Sequence, residues 1–232
     1  MKNLNLIICL CFFAAPLLAQ KKVDKVLPFK NGQTVNLELK FADSIVVRYW
    51  DKQEALVKMD ITINGGRLNE ALLIETSQTA DEVKLSTDFD QELLKQSRKS
   101  DCPEKKSGYW TDKDGNERYL CKQIHYHVFL PRNARLKLET IDGNIDIQDA
   151  SSPVLAKTIS GYVDMSWPGS KGANVAMKTI TGEVYSDLDI DFKTKKDKNP
   201  IVGYLLEGTF KGGGPEVRLE SISNNVYLRQ RK

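Results

Sequence analysis

The fold is decided by a ten-residue pattern that first occurs at residues 138–147 as LETIDGNIDI. The pattern returns three times, with apolar residues at matched positions and a glycine or an asparagine at its sixth position. The further copies are AKTISGYVDM at 156–165, MKTITGEVYS at 177–186 and LESISNNVYL at 219–228. Copies repeated at spacings near 20 residues are typical of a stacked array of short structural units.

Each copy has its glycine or asparagine where the alternation of apolar residues changes phase. Apolar residues stand at period two before this position and again after it, so we expect two short strands with a bend between them. A tight bend favours residues that tolerate a positive φ. The predicted corner residues are Gly143, Gly161, Gly182 and Asn224.

The copies should be stable only when they stack. A unit of two short strands buries little apolar surface alone, so each copy is expected to pack on the next one along the chain. Stacking would align a column of hydroxyl side chains into a ladder: Thr140, Thr158, Thr179 and Ser221. The last two corners are 42 residues apart, twice the preceding spacing of 21, which predicts a degenerate copy around Gly203.

The segment before the repeats also has strand periodicity. Val57, Met59 and Ile61, for example, alternate with polar residues, as in a half-buried strand. The sequence therefore predicts an all-β protein built as a β-solenoid or β-helix-like stack of short strands, with an antiparallel β-sandwich as the alternative. We expect one β-strand-repeat domain over 20–232, irregular over 20–130 and regular over 131–232.

The first 19 residues have the features of a secretory signal peptide. Lys2 precedes an apolar run from Leu4 to Leu18, and Ala19 offers a small residue for cleavage. The run is shorter than the roughly 20 residues that a membrane span needs. We therefore expect an exported protein with no integral membrane span after cleavage. The net charge of +3 is close to neutral, and the absence of a basic patch argues against a nucleic-acid partner.

Two cysteines, Cys102 and Cys121, lie outside the signal peptide. In an oxidising compartment they should form a disulfide that closes an exposed hairpin over 102–121. Chain-entropy arithmetic assigns such a loop roughly 3 kcal/mol of stabilisation. A competing interpretation adds His125 and His127 to the two thiolates as a zinc site.

Several stretches together resemble a family of exported bacterial β-strand-repeat proteins described as candidate adhesins, found especially in Bacteroidetes. They are the Thr-Ile-x-Gly-x-Val/Ile units, the IVVRYWD stretch at 45–51 and the GGGP stretch at 212–215. The resemblance implies a right-handed solenoid-like β fold. It also implies a location in the cell envelope, either in the periplasm or at the outer membrane and cell surface, and it carries over no catalytic residue.

The sequence contains no nucleophile-elbow, phosphate-loop or zinc-protease motif. We therefore expect no enzymatic activity and no cofactor. Three aspartates on one predicted strand face offer a weak Ca²⁺ site: Asp187, Asp189 and Asp191. A polysaccharide-cleaving enzyme is the weaker alternative, with Asp142, Asp146 and Asp164 as its candidate carboxylates.

Aromatic residues in the repeats are the best candidates for surface recognition, because tyrosine and tryptophan supply large contact areas at low entropic cost. The candidates are Tyr162, Trp167, Tyr185 and Tyr227. The sequence thus predicts a non-enzymatic, adhesin-like binding or scaffolding protein that engages an envelope protein or a glycan. An envelope-stress sensor linked to a sigma factor is the alternative.

Overall fold

The computed structural model describes residues 20–103, 108–193, 203 and 205–231. The predicted signal peptide lies outside the described residues, as does most of the degenerate copy expected around Gly203. Among the described residues, 62% lie in strands and almost none in helix, which confirms the all-β prediction. In the described part of the chain, no helix is long and apolar enough to cross a membrane.

The segment before the repeats forms strands joined by short turns. Its strands are β1 (Lys21–Pro28), β2 (Thr34–Leu39), β3 (Phe41–Trp50), β4 (Glu54–Ile63), β5 (Leu72–Gln78), β6 (Glu82–Phe89), β7 (Gly108–Thr111), β8 (Glu117–Leu120) and β9 (Lys122–Pro131). The helical segments are α1 (Gln91–Leu94) and the 3₁₀ turns Asn64–Gly66, Asn69–Ala71 and Lys99–Asp101. Asp90 caps α1 by accepting from the backbone N–H groups of Glu92 and Leu93.

The rest of the described chain supplies nine strands: one in the first copy, two in each of the other three copies, and two between the third copy and the last. They are β10 (Arg135–Ile147), β11 (Val154–Ser160), β12 (Val163–Pro168), β13 (Ala173–Lys178), β14 (Val184–Ser186), β15 (Ile190–Phe192), β16 (Leu205–Phe210), β17 (Glu216–Ser221) and β18 (Val226–Arg231). In the first copy a single strand, β10, runs through the expected corner without a break.

Among the described strands, sixteen form one large mixed sheet, and β7 and β8 form a separate hairpin. The large sheet has two rows that share β10. One row is β5–β6–β2–β10–β11–β17–β13–β16–β15, and the other is β1–β4–β9–β3–β10–β12–β18–β14. In the first row the strands from β6 to β13 pair in parallel, and antiparallel pairs lie at both ends. In the second row the strands from β9 to β14 pair in parallel, and antiparallel pairs lie only at the β1 end.

The register of the repeats agrees with the alignment of their sequences. Leu138 lies opposite Ala156 in the first row, and Ile145 lies opposite Val163 in the second. All four side chains are fully buried. Matching positions in the repeat therefore become neighbours across the strands, as predicted.

The stacking order differs from the order along the chain. Leu219 of the last copy pairs with Ala156 of the second copy on one side and with Met177 of the third on the other. The last copy is therefore inserted between the second and the third. The prediction of a degenerate copy around Gly203 is wrong for β16, the strand that the structure describes there. A further copy would pair in parallel, but β16 runs antiparallel to β13, with Leu205 opposite Lys178.

The segment before the repeats continues the same stack. Strands β2 and β3 pair in parallel with the two halves of β10, which places Leu37 opposite Leu138 and Ile45 opposite Ile145. Strands β6 and β9 then pair in parallel with β2 and β3. The part of the chain expected to be irregular thus contributes two further layers with buried residues in the same columns.

The predicted reason for glycine at the corners is wrong for most of them. Only Gly143 has a positive φ, at +117°. Gly161 and Gly182 are required by the close approach of neighbouring copies instead. A Cβ atom on Gly161 would lie 2.1 Å from the carbonyl oxygen of Gly143, and one on Gly182 would lie 2.2 Å from that of Asn224.

The predicted hydroxyl ladder is confirmed, and it bridges neighbouring copies at their corners. Each hydroxyl in three of the four copies donates to the carbonyl oxygen of the corner residue in the adjacent copy, and all three side chains are buried. The bonds are Thr158 to Gly143 at 3.1 Å, Ser221 to Gly161 at 2.7 Å and Thr179 to Asn224 at 2.7 Å. The ladder therefore satisfies carbonyl groups that the bends leave without a strand partner.

Replacement of Thr158 by valine tests the ladder. Valine keeps the shape and the strand preference but leaves the carbonyl of Gly143 without its buried donor, so the free energy of unfolding should fall by about 1–3 kcal/mol. Urea denaturation of the oxidised protein measures the change. Thr181→Val is the control, because that hydroxyl is exposed and makes a 3.3 Å bond to Ile222; an equal loss in both variants would contradict the role of the ladder.

The residue that follows each ladder hydroxyl points outward. Alternation along a strand sends successive side chains to opposite faces, so an isoleucine is exposed in each of three copies. These are Ile141, Ile159 and Ile180, with exposed fractions of 38%, 39% and 40%. The buried core lies instead under the columns of Leu138 and Ile145.

Candidate functional site

Three of the aromatic side chains predicted for recognition meet on the outer face of the second row. Tyr227 lies opposite Tyr185 in the paired strands β18 and β14. Their rings stack at 5.2 Å between centroids with an angle of 9°, and Tyr162 meets Tyr227 edge-on at 6.4 Å. We call Tyr162, Tyr227 and Tyr185 the tyrosine cluster. It joins three layers of the stack on one outward surface.

Charged side chains hold the tyrosine cluster in place. The guanidinium of Arg229 lies 4.7 Å from the ring centroid of Tyr227 and donates to Asp164 at 2.8 Å. This hydrogen bond raises the pKa of Arg229. The hydroxyl of Tyr185 donates to the carboxylate of Glu183, which raises the pKa of that phenol. One arginine–aspartate ion pair and one further carboxylate therefore flank the aromatic rings, and Tyr185 remains 45% exposed.

The prediction that Trp167 is a surface residue is wrong. Its side chain is fully buried, and its indole N–H donates to the carbonyl of Lys171 at 2.8 Å. Trp167 occupies the inward column of β12, in phase with Val163 and Met165. It is therefore part of the core and does not take part in recognition.

The candidate catalytic carboxylates have cationic partners. Asp146 lies 3.4 Å from Arg48 on β3, and Asp164 is held by Arg229. Asp142 lies 3.8 Å from Lys122. Each carboxylate is thus paired with a cation on another strand.

The predicted Ca²⁺ site does not form. The three aspartates do not share one strand face, because β14 ends at Ser186 and β15 begins at Ile190. Asp187 instead accepts from the backbone N–H of Gln230. Among the residues that the structure describes, no group of three or more His, Cys, Asp or Glu side chains could hold a metal ion.

The predicted disulfide is present. Cys102 and Cys121 are bonded, with their Cα atoms 5.7 Å apart. The competing zinc interpretation is wrong, because both sulfur atoms are used in the bridge. The ring of His125 shares a 2.8 Å hydrogen bond with the hydroxyl of Ser44, and His127 is exposed on the outer face.

The hairpin β7–β8 stands apart from the large sheet and is anchored at several points. Its turn is organised by Asp112, which accepts from the backbone of Asn116 at 2.9 Å and pairs with Arg118 at 2.6 Å. Arg118 also donates to the carbonyl of Lys95, and the backbone N–H of Tyr119 donates to Ser97 at 3.0 Å. Together with the disulfide, these bonds fix the hairpin against the segment that follows α1.

Two adjoining cavities lie beside the hairpin: the smaller is lined by residues of the hairpin and of the large sheet, and the larger lies next to the disulfide, at Pro103 and Cys121. They have volumes of about 780 Å³ and about 430 Å³. Both are lined by Asp43 and Lys122, so we treat them as one feature, the hairpin cleft. The smaller part is also lined by Tyr109, Trp110 and Asp142.

Lys122 is the central charged group of the hairpin cleft. Its ammonium lies 3.7 Å from a carboxylate oxygen of Asp43 and 3.8 Å from one of Asp142, and it donates to the carbonyl of Ala42 at 3.2 Å. The side chain is only 17% exposed. Asp43 also accepts from the backbone N–H of Ile124 at 2.8 Å, so the main chain fixes one carboxylate.

Sequence reasoning did not single out the hairpin cleft. It predicted an exposed hairpin closed by the disulfide but assigned no role to Tyr109 and Trp110 within it. The available signal was an adjacent pair of large aromatic residues in a segment rich in charged residues and turn formers. Asp43 and Lys122 are far apart in sequence, and only the parallel pairing of β3 with β9 brings them together.

The comparisons with known proteins concern the fold. No family model matches the chain, and no curated protein matches it. A solved structure from Clostridium sporogenes, named as a candidate cell adhesion protein, has 13% sequence identity and a TM-score of 0.52 over 91% of this chain and 100% of that chain. A candidate adhesin from Bacteroides fragilis has 11% identity and a TM-score of 0.32 over 91% and 97%. The first similarity shows a shared fold.

Proposed function

We propose that the chain is an exported, adhesin-like protein of the cell envelope that binds an envelope protein or a glycan and catalyses no reaction. The observation that carries this proposal is the tyrosine cluster on the outer face of the stack. Tyrosine and arginine are enriched at the centres of binding surfaces, and here partly exposed tyrosine rings lie beside Arg229.

The proposed architecture is a right-handed β-solenoid, and the parallel pairings favour it over an antiparallel sandwich. Successive layers from β6 to β13 in the first row are joined by parallel, in-register ladders. In the second row, which carries the tyrosine cluster, β18 lies between the parallel neighbours β12 and β14, so Tyr227 is held by two strands. The cluster therefore loses little conformational freedom on binding, which favours affinity.

The absence of catalysis is inferred from the state of the carboxylates. Hydrolysis of a glycosidic bond needs two carboxyl groups that face one another across the substrate. Asp146 and Asp164 are instead each paired with an arginine on a neighbouring strand. These ion pairs support the binding role over the polysaccharide-cleaving alternative.

Binding to envelope material tests the proposal. Fluorescently labelled mature chain, residues 20–232, is mixed with washed bacterial envelope fragments, and the bound fraction is measured by sedimentation. We expect saturable binding that is weakened at least about tenfold in the double variant Tyr162→Ala/Tyr185→Ala, as for loss of a central aromatic contact. Phe192→Ala is the control, because that exposed ring lies on β15, outside the cluster.

Two results would contradict this proposal. One is the absence of saturable binding by the unmodified chain. The other is unchanged binding by the double variant, which would remove the tyrosine cluster from the binding surface. Thermal melting of every variant distinguishes a loss of binding from a loss of folding.

A further inference from the structure

We propose that the hairpin cleft is a second binding site and that its ligand is a neutral hexose unit of a glycan. The site shares no residue with the tyrosine cluster: its aromatic groups lie on β7, and its charged groups lie at Asp43, Lys122 and Asp142. The inference therefore goes beyond the proposed function and can fail without it.

Exposed aromatic rings are the first feature that points to a sugar. Tyr109 is 72% exposed and Trp110 is 36% exposed, although Trp167 is fully buried. A pyranose ring presents a face of C–H groups that packs against the electron-rich face of an aromatic ring. Trp110 lines the smaller part of the cleft beside Lys122, so one ligand can contact both the indole and the charged groups.

The charged groups keep hydrogen-bonding capacity for a ligand. The distances of 3.7 Å and 3.8 Å from Lys122 to Asp43 and Asp142 exceed those of direct N–H···O hydrogen bonds. The ammonium has three N–H donors, and one of them bonds to Ala42. In the described part of the chain, the carboxylate of Asp142 accepts no hydrogen bond. Donors and acceptors thus stand side by side, as the hydroxyl groups of a sugar require.

The sign of the charge selects the class of sugar. Among the residues that the structure describes here, the two carboxylates and the ammonium of Lys122 carry a net charge of −1. A uronic acid or a phosphorylated sugar would bring a further negative charge close to these carboxylates, which disfavours its binding. A neutral hexose adds no charge, and its neighbouring hydroxyls can donate to a carboxylate in charge-assisted hydrogen bonds.

The cleft is preorganised. The disulfide from Cys121 to Cys102 lies immediately before Lys122 in the chain. Arg118 pairs with Asp112 within the hairpin and ties the hairpin to the carbonyl of Lys95. The parallel ladder of β3 and β9 fixes Asp43 relative to Lys122. A ligand that enters the cleft therefore orders few groups, and this reduces the entropic cost of binding.

Titration of the mature chain with defined oligosaccharides tests the inference. The probes are cellohexaose, maltohexaose and mannohexaose as neutral chains, hexagalacturonate as an acidic chain, and trilysine as a cationic peptide. Binding is followed by tryptophan fluorescence and by calorimetry. We expect at least one neutral hexaose to bind saturably and hexagalacturonate to bind at least about tenfold more weakly.

Variants locate the binding within the molecule. Trp110→Ala should weaken binding of the neutral hexaose at least about tenfold, and Asp142→Asn, which keeps the shape of the side chain, should weaken it severalfold. Tyr185→Ala should leave it unchanged. Binding at the cleft is overturned if no neutral hexaose binds, if Tyr185→Ala weakens binding as much as Trp110→Ala does, or if only hexagalacturonate or trilysine binds.

The results also separate this inference from the proposed function. If envelope fragments bind through the tyrosine cluster while no neutral hexaose binds, the cleft proposal fails and the proposed function stands. If a neutral hexaose binds and envelope fragments do not, the cleft proposal stands, and binding of envelope material through the tyrosine cluster fails. The melting temperature of Trp110→Ala should remain within a few degrees of the unmodified value, since the ring lies on a hairpin outside the large sheet.

Discussion

Replacement of Gly161 by alanine is expected to lower the free energy of unfolding by at least about 3 kcal/mol. The new Cβ atom would lie 2.1 Å from the carbonyl oxygen of Gly143 and 3.2 Å from the backbone nitrogen of Asn144. Both obstacles are main-chain atoms. Relief would require the two copies to separate, which would weaken the hydrogen bond from Ile145 N–H to the carbonyl of Tyr162.

Chemical denaturation of the oxidised protein measures this effect, and Gly169→Ala is a matched control. The three atoms nearest to its Cβ atom would all belong to the flexible Gln230 side chain: Nε2 at 2.3 Å, Cδ at 2.9 Å and Cγ at 3.0 Å. That side chain can move, so the control should lose less than about 1 kcal/mol. Equal stabilities of the two variants would show that the copies separate easily and that glycine is not required by their close approach.

Replacement of Trp167 by alanine is expected to cost about 3–5 kcal/mol, as for other large aromatic residues in protein cores. The ring is fully buried on β12, between the parallel neighbours β10 and β18. Its removal leaves a cavity and leaves the carbonyl of Lys171 without its donor. Urea denaturation and near-ultraviolet circular dichroism should both report the loss.

Trp167→Phe separates the two contributions. Phenylalanine retains most of the buried volume but cannot donate to Lys171, so this variant should lose roughly 1–3 kcal/mol. If Trp167→Ala instead keeps its stability and loses binding to envelope fragments, the side chain is a recognition residue and its placement in the core is wrong.

The register of the repeats could be predicted because each copy carries its own pattern. Inward residues such as Leu138 and Ile145 recur at fixed positions, and a slip by one residue would turn every apolar side chain outward. The ladder position of Thr158 follows from the same phase. The periodicity therefore defines the register between two neighbouring copies, but it does not say which copies are neighbours.

The stacking order could not be predicted from periodicity. The second and third copies present the same columns to a neighbour, with Ala156 in one and Met177 in the other, so the last copy fits beside either of them or between them. The layer formed by β2 and β3 was hidden for another reason. The segment from Leu37 to Ile45 is one residue longer than the segment from Leu138 to Ile145. The extra residue is accommodated by a register shift opposite Gly143, where β3 pairs with β10.

The candidate sites were predictable to the extent that they depend on local sequence. Tyr185 and Tyr227 share one column of the repeat, and the structure stacks them. Trp167 lies in the inward phase of the same strand that exposes Asp164, and counting by two from Val163 would have placed it in the core. The charged groups of the hairpin cleft come from separate strands, and their proximity depends on the pairing of distant segments.

The insertion of the last copy has a consequence for how the chain reaches its native state. Until residues 216–231 are available, β11 and β13 are separated by the width of a missing strand, roughly 10 Å between them. Their facing edges are unpaired and open to pairing with other chains. The stack cannot grow copy by copy from its N-terminal end, so its completion is a late step that joins distant segments and is expected to be slow. A chain that ends before β17 would retain both open edges, and we expect it to aggregate.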